Sequence, residues 1–251
     1  MKYIYYFYQI IFALPLFLII TVITTTVTII GSNLGFAKFW AYWPAKIWSW
    51  VTIRSYLLPV HVEGRDNIDK NTSYVFVANH QGYFDIFLIY AFLGHNFRWM
   101  MKKSLRKMLL IGKACESSGQ IFVDKSGPKA IKRTYDEARQ KLQGGISLMV
   151  FPEGARTFDG KMTSFKKGAF QLADELQLPV VPITINGPFD FYPRTAKAPL
   201  GNWSPFSIKI HKPIEPKGKG HEFELQTLKE AFETINNAMP KDRQANTSEE
   251  K

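Results

Sequence analysis

From residue 1 to residue 37 this chain carries one charged side chain, Lys2. The run from Tyr3 to Ile30 is nearly all apolar or aromatic, interrupted mildly by Gln9 and several threonines. A helix rises about 1.5 Å per residue, so such a run is long enough to cross a hydrocarbon core of about 30 Å. Signal peptides have shorter apolar regions, of about 7–15 residues, and end at a small-residue cleavage site. No clear site of that kind follows, so an uncleaved anchor is expected.

The segment from Phe36 to Leu58 has another character. Trp40, Trp43, Trp48 and Trp50 are four of the chain's six tryptophans, interleaved with Lys38, Lys46 and Arg54. Indole rings beside basic residues favour the water–lipid boundary. Residues 1–58 therefore predict a two-helix membrane element: either the first helix spans the bilayer, or both lie as a hairpin in one leaflet.

Beyond residue 58 the pattern is that of an α/β domain, expected over 59–239. Short apolar runs recur at Tyr74–Ala78, Gln120–Val123, Ile146–Phe151 and Val180–Ile185, and an alternating run at Phe206–Ile210 reads as an edge strand. Between them lie helix-like stretches. Lys129–Gln143 ends at Gly144-Gly145, Phe165–Leu176 stops before Pro179, and Phe223–Met239 is amphipathic. This alternation predicts a largely parallel central sheet flanked by helices. Residues 186–205, rich in Pro, Gly and aromatics, read as a long loop, and 240–251 as a polar, flexible tail.

The net charge is +11, and between Arg98 and Lys141 there are 12 Lys or Arg against 4 Asp or Glu. A basic excess suits nucleic acid, an anionic membrane or a phosphorylated substrate. No nucleic-acid-binding motif accompanies it, and the anchor argues for lipid. The lone cysteine, Cys115, rules out an internal disulfide framework, fits a reducing compartment, and lacks the Cys/His clustering of a zinc site.

Chemistry-bearing residues gather where predicted strands end. His80 follows the first run, with Gly82 offering a turn and Asp85 near the start of the next helix. If His80 lies in the loop before that helix, Asp85 can reach back to one ring nitrogen and leave the other free to take a proton. Taken alone, the segment equally suits a hydrogen-bonded turn histidine beside a helix N-terminal acid. A second segment, Gly119–Lys125, ends in a charged pair and leads to Lys129 and Arg133, which could hold a phosphate. A third, Val150–Thr157, places Glu153, Gly154 and Arg156 after another strand, Arg156 being suited to bidentate phosphate binding. A fourth, Val181–Thr184, is an apolar strand with Pro182 at an irregular or edge position.

In this order and spacing the four segments resemble the four motifs of the glycerolipid acyltransferases, particularly the 1-acyl-glycerol-3-phosphate (lysophosphatidate) acyltransferases. The first motif, His-x4-Asp, is matched by His80 and Asp85; the second by Gly119 to Lys125; the third, Phe-Pro-Glu-Gly, by Phe151 to Arg156; the fourth by Val181 to Ile183. Two positions depart from the pattern. Lys125 stands where the family usually has Arg, and Ala155 replaces the common Thr, with Thr157 nearby.

The resemblance implies acyl transfer from a thioester, acyl-CoA or acyl carrier protein, to the sn-2 hydroxyl of lysophosphatidate at a membrane facing the cytoplasm, with no cofactor or metal. His80 would be the base and Asp85 its orienting group. Arg156, Lys125 and Lys103 would meet the acceptor phosphate, and Glu153 would position the acceptor or order the basic residues. Other readings are the same chemistry on glycerol-3-phosphate or an amino-acid-derived lysolipid, and a silent module that binds anionic lipid.

Overall fold

The computed structural model describes residues 1–35, 37–124, 126–142 and 144–245. Lys125, like Phe36, Gln143 and the 246–251 end of the tail, lies outside the described residues. The N-terminal run forms one long helix: α1 (Lys2–Tyr8), a π-helical turn (Gln9–Ala13) and α2 (Leu14–Asn33). A short α3 (Ala37–Trp40) and α4 (Trp43–Ser55) follow. The remaining elements are β1 (Val60–Glu63), β2 (Val75–Ala78), α5 (Phe84–Phe92), β3 (Phe97–Lys102), α6 (Ile111–Ser117), β4 (Ile121–Val123) and α7 (Pro128–Lys141). After these come β5 (Ser147–Val150), α8 (Gly168–Leu176), β6 (Val180–Asn186), α9 (Pro188–Phe191), β7 (Phe206–Ile210) and α10 (His221–Ala238).

Seven strands make one sheet in the order β1-β7-β6-β2-β5-β3-β4, parallel throughout except where β7 runs antiparallel to β6. The continuous apolar run of β2 follows from burial on both faces. Val75 and Val77 join a core with α7, α8 and α10, while Phe76 and Ala78 join one with α4 and α5. Each fully buried Val or Phe side chain of this kind contributes roughly 1.5–3 kcal/mol.

Three expectations change. β7 is not an edge strand: it lies between β1 and β6, and its alternation arises because it buries Phe206, Ile208 and Ile210 on one face only. Pro182 sits in an interior strand, in register with Val77. Its missing N–H is tolerated because β7 ends at Ile210 beside it, where the ladder stops after His211 N–H donates to the Pro182 carbonyl. The tail is also held at its start. Lys241–Arg243 form a 3-10 turn, Arg243 pairs with Asp190 at 2.5 Å, and Met162 N–H donates to the Arg243 carbonyl.

The N-terminal helix, Lys2–Asn33, is long and apolar enough to cross a membrane, and little of its most apolar stretch is buried within the molecule. It nevertheless packs on the domain. Tyr5 and Tyr8 hydroxyls donate to the carbonyls of Tyr56 and Ser55 at the end of α4. Phe17 lies against Trp48 and Phe87. Trp48 thus departs from the interfacial reading: it turns inward, with its indole N–H on Thr21, while Trp43 and Trp50 stay exposed.

Candidate active site

β6, β2, β5, β3 and β4 run in one direction, with β1 and β7 opposed to them, so the carboxyl ends of these five share one edge of the sheet, the usual place for a ligand crevice. At the end of β2, Asn79 is buried and its amide exchanges two hydrogen bonds with the main chain of Ile185 in β6, at 2.9 and 2.8 Å. Asn79 therefore extends the β2–β6 pairing by one side chain. The chain leaves the sheet at the next residue, His80.

Four contacts fix His80. Its main-chain N–H donates to Glu153 Oε1 at 2.6 Å, and its carbonyl accepts from Thr157 N–H at 3.0 Å. Its ring lies flat on Phe151, with centroids 3.8 Å apart and planes within 3°. Its Nδ1 is 2.7 Å from Asp85 Oδ2. Asp85, in the first turn of α5, is fully buried, and the same oxygen accepts from Gly82 N–H at 2.9 Å. An ionised carboxylate only accepts, so Nδ1 carries the proton and Nε2 offers a lone pair. The His80 side chain keeps 15% of its surface open. Gly82 lets the loop pass close to Pro188: a Cβ there would come 3.1 Å from the Pro188 carbonyl oxygen, a tight contact.

Phe151–Gly154 form a turn closed by Gly154 N–H on the Phe151 carbonyl. Gly154 has φ +76°, which favours glycine, and the Lys166 amine lies over it. The turn directs Glu153 inward. Its Oε1 takes the His80 N–H, and its Oε2 accepts from both the N–H and hydroxyl of Thr163 at 2.8 Å. Burial pushes its carboxyl above the usual range, and these hydrogen bonds pull it back in part. Both Glu153 oxygens are engaged within the protein, clamping the His80 loop.

Arg156 lies 3.5 Å over the Tyr83 ring, and its Nη1 is buried with no hydrogen-bond partner among the described residues. Buried donors are normally satisfied, so this guanidinium has capacity for an anion. Arg194, which donates to the Arg156 carbonyl, and Lys166, over Gly154, add positive charge to the same turn. Lys103 stands at the end of β3, two strands from β2, and its amine is 2.7 Å from Asp124, whose carboxyl it holds down at about 2. It is brought to the same sheet edge but is engaged with Asp124. Tyr83, Thr163, Lys166 and Arg194 were not singled out in the sequence, where Lys166-Lys167 was the one visible signal. Among the described residues no group of three or more His, Cys, Asp or Glu is placed to hold a metal.

Against known proteins, the family model described as acyltransferase matches residues 59–186, more than half of the chain. The chain belongs to the acyltransferase family. This acyltransferase domain is 33% identical over 171 residues to the chloroplastic 1-acyl-sn-glycerol-3-phosphate acyltransferase LPAT1 of Arabidopsis thaliana, covering 68% of this chain and 47% of that one. It is 36% identical over 138 residues to the human 1-acyl-sn-glycerol-3-phosphate acyltransferase alpha, covering 55% and 49%. The chain thus spans about half the length of these curated relatives. The crystal structure of the 1-acyl-sn-glycerophosphate (LPA) acyltransferase PlsC of Thermotoga maritima superposes with a TM-score of 0.71 at 27% identity, over 88% of this chain and 92% of that one.

Proposed function

We propose that this acyltransferase moves a fatty acyl group from a thioester, acyl-CoA or acyl carrier protein, to the sn-2 hydroxyl of 1-acyl-glycerol-3-phosphate, giving phosphatidic acid. The observation that carries the reading is the His80–Asp85 pair at the sheet's carboxyl edge, with Arg156 in the same loop cluster, its Nη1 without a hydrogen-bond partner among the described residues. The relatives named as 1-acyl-sn-glycerol-3-phosphate acyltransferases supply the substrate class.

His80 Nε2 takes the proton from the acceptor hydroxyl as its oxygen attacks the thioester carbonyl carbon. The tetrahedral intermediate collapses with loss of the thiolate, and the proton passes from His80 to sulfur. Asp85 holds the ring and stabilises the imidazolium. Arg156 meets the acceptor phosphate, with Arg194 on its carbonyl and Lys166 over Gly154 adding positive charge to the same turn, and Lys103 extends the basic edge; Lys125 is proposed to join them from its place in the sequence alone. No enzyme nucleophile is used. Cys115 fits this, since burial pushes its thiol up to about 11, far from the thiolate state. The long helix Lys2–Asn33 embeds in the membrane and keeps the site at the surface from which the lysolipid is drawn, on the reducing, cytoplasmic side.

The test is product formation by the full chain with lysophosphatidate and each thioester donor. His80→Ala should lower kcat by at least about 10²–10⁴-fold while the protein stays folded. Arg156→Ala should chiefly raise KM for the acceptor. Near-normal turnover by His80→Ala would overturn the mechanism, and faster turnover of glycerol-3-phosphate or another lysolipid would overturn the acceptor.

A further inference from the structure

The segment from Lys102 to Lys113 joins β3 to α6 through a 3-10 turn, Lys103–Lys107. It holds five basic residues, Lys102, Lys103, Arg106, Lys107 and Lys113, and no acidic one. Leu105, Met108, Leu109, Leu110 and Ile111 are interleaved with them, and every residue from Lys102 to Ile111 is exposed. Leu109 is 89% exposed, more than any other large apolar side chain among the described residues except Met1.

The backbone is built to produce this exposure. Ile111 N–H donates to the Leu109 carbonyl at 2.6 Å, with Leu110 at φ 58° and ψ −55°. That is the rare, strained form of the three-residue γ-turn, and it is unfavourable for a leucine. Gly112 lets the segment fold tightly onto α6: a Cβ there would come 2.3 Å from the Arg106 carbonyl oxygen. The leucines are thus presented by a closed, hydrogen-bonded structure.

Two observations identify the occupant. First, α6 packs against α2, so the segment adjoins the helix whose Leu18, Ile19, Val22 and Ile23 are also exposed. Second, the charge is one-sided. Asp124 and Glu116 engage Lys103, Arg106 and Lys113, while Lys102 and Lys107 have no acidic partner among the described residues. Apolar side chains ringed by amines suit an interface with anionic lipid, where leucines enter the acyl layer and amines stay with the phosphates.

We infer that Lys102–Lys113 is a second membrane contact, inserting Leu109 and Leu110 into an anionic leaflet beside the N-terminal helix. This rests on the reading of that helix as membrane-embedded and extends it. Because the segment begins where β3 ends, it holds the carboxyl edge of the sheet against the lipid surface.

The test uses the full chain with Cys115→Ala, carrying either Leu109→Cys or Val22→Cys, each labelled with an environment-sensitive fluorophore. The protein is reconstituted in phosphatidylcholine vesicles with or without phosphatidylglycerol and with acyl-chain nitroxide quenchers, and circular dichroism checks folding. Quenching is expected at both positions. At position 109 it should be at least about twofold stronger with phosphatidylglycerol, and Lys102→Gln with Lys107→Gln should remove that increment. A label at 109 that stays in water while the one at 22 is quenched overturns the inference alone, as a soluble partner for this face would require. Water at both positions brings down the membrane reading as well. Equal quenching at 109 in neutral and anionic vesicles overturns the headgroup role.

Discussion

Glu153 has three donors on two oxygens, and one of them is the main chain of the candidate base. A carboxylate serves such a set because it only accepts. Glu153→Gln keeps the size but turns one oxygen into an NH2 group that faces another donor. The expected cost is about 1–3 kcal/mol, read as a lower unfolding midpoint. The His80 loop would also loosen, lowering kcat by up to about 10²-fold with little change in acceptor KM. A rise in KM alone would instead mean that Glu153 touches the acceptor. Asp85 shows the same logic with a different outcome. Its Oδ2 is engaged twice, and its buried Oδ1 has no partner among the described residues, so its charge is directed toward His80.

The N-terminal helix is interrupted by a π-helical turn at Gln9–Ala13, and the residue that opens it is Gln9. This fully buried amide exchanges two 2.8 Å hydrogen bonds with the main chain of Gly201, in the long loop before β7. Tyr6 adds a hydroxyl on Asn202, and Trp203 caps the Leu57 carbonyl. A π-turn changes the rotation of the helix, here such that a polar side chain in an apolar run meets the loop. Gln9→Ala leaves the Gly201 N–H and carbonyl unpaired, at a cost of about 1–3 kcal/mol. Thermal unfolding in detergent should show it; an unchanged midpoint would mean that the contact is dispensable.

At the scale of the whole molecule, the apolar helix is part of the domain's packing as well as a lipid-facing surface. Phe17, Trp48 and Phe87 form one cluster across α2, α4 and α5, and α2 also covers α6. Removing residues 2–33 would expose this aromatic face, far beyond what scattered surface apolar residues present. The truncated chain should therefore aggregate or require detergent. A monodisperse, detergent-free peak on size exclusion would show that the domain is independent of its helix.

The sequence by itself determined the apolar helix, the strands buried on both faces and the order of the four segments. These are local signals, carried by hydropathy and by residue type within a few positions. It missed β1 and β3. The first is four alternating residues, Val60–Glu63, and the second, Phe97–Lys102, carries Arg98 and Lys102 in a run that does not read as a strand. It placed β7 at an edge because alternation reports one buried face and is silent on neighbours. His80 and Asp85 were legible as a pair, five residues apart, but equally as a turn. Only the tertiary structure decided how the base is held: Glu153 reaches His80 across 73 residues and Gln9 reaches Gly201 across 192. Such contacts leave no periodicity in the chain, because they depend on where the sheet and helix bring distant backbone together.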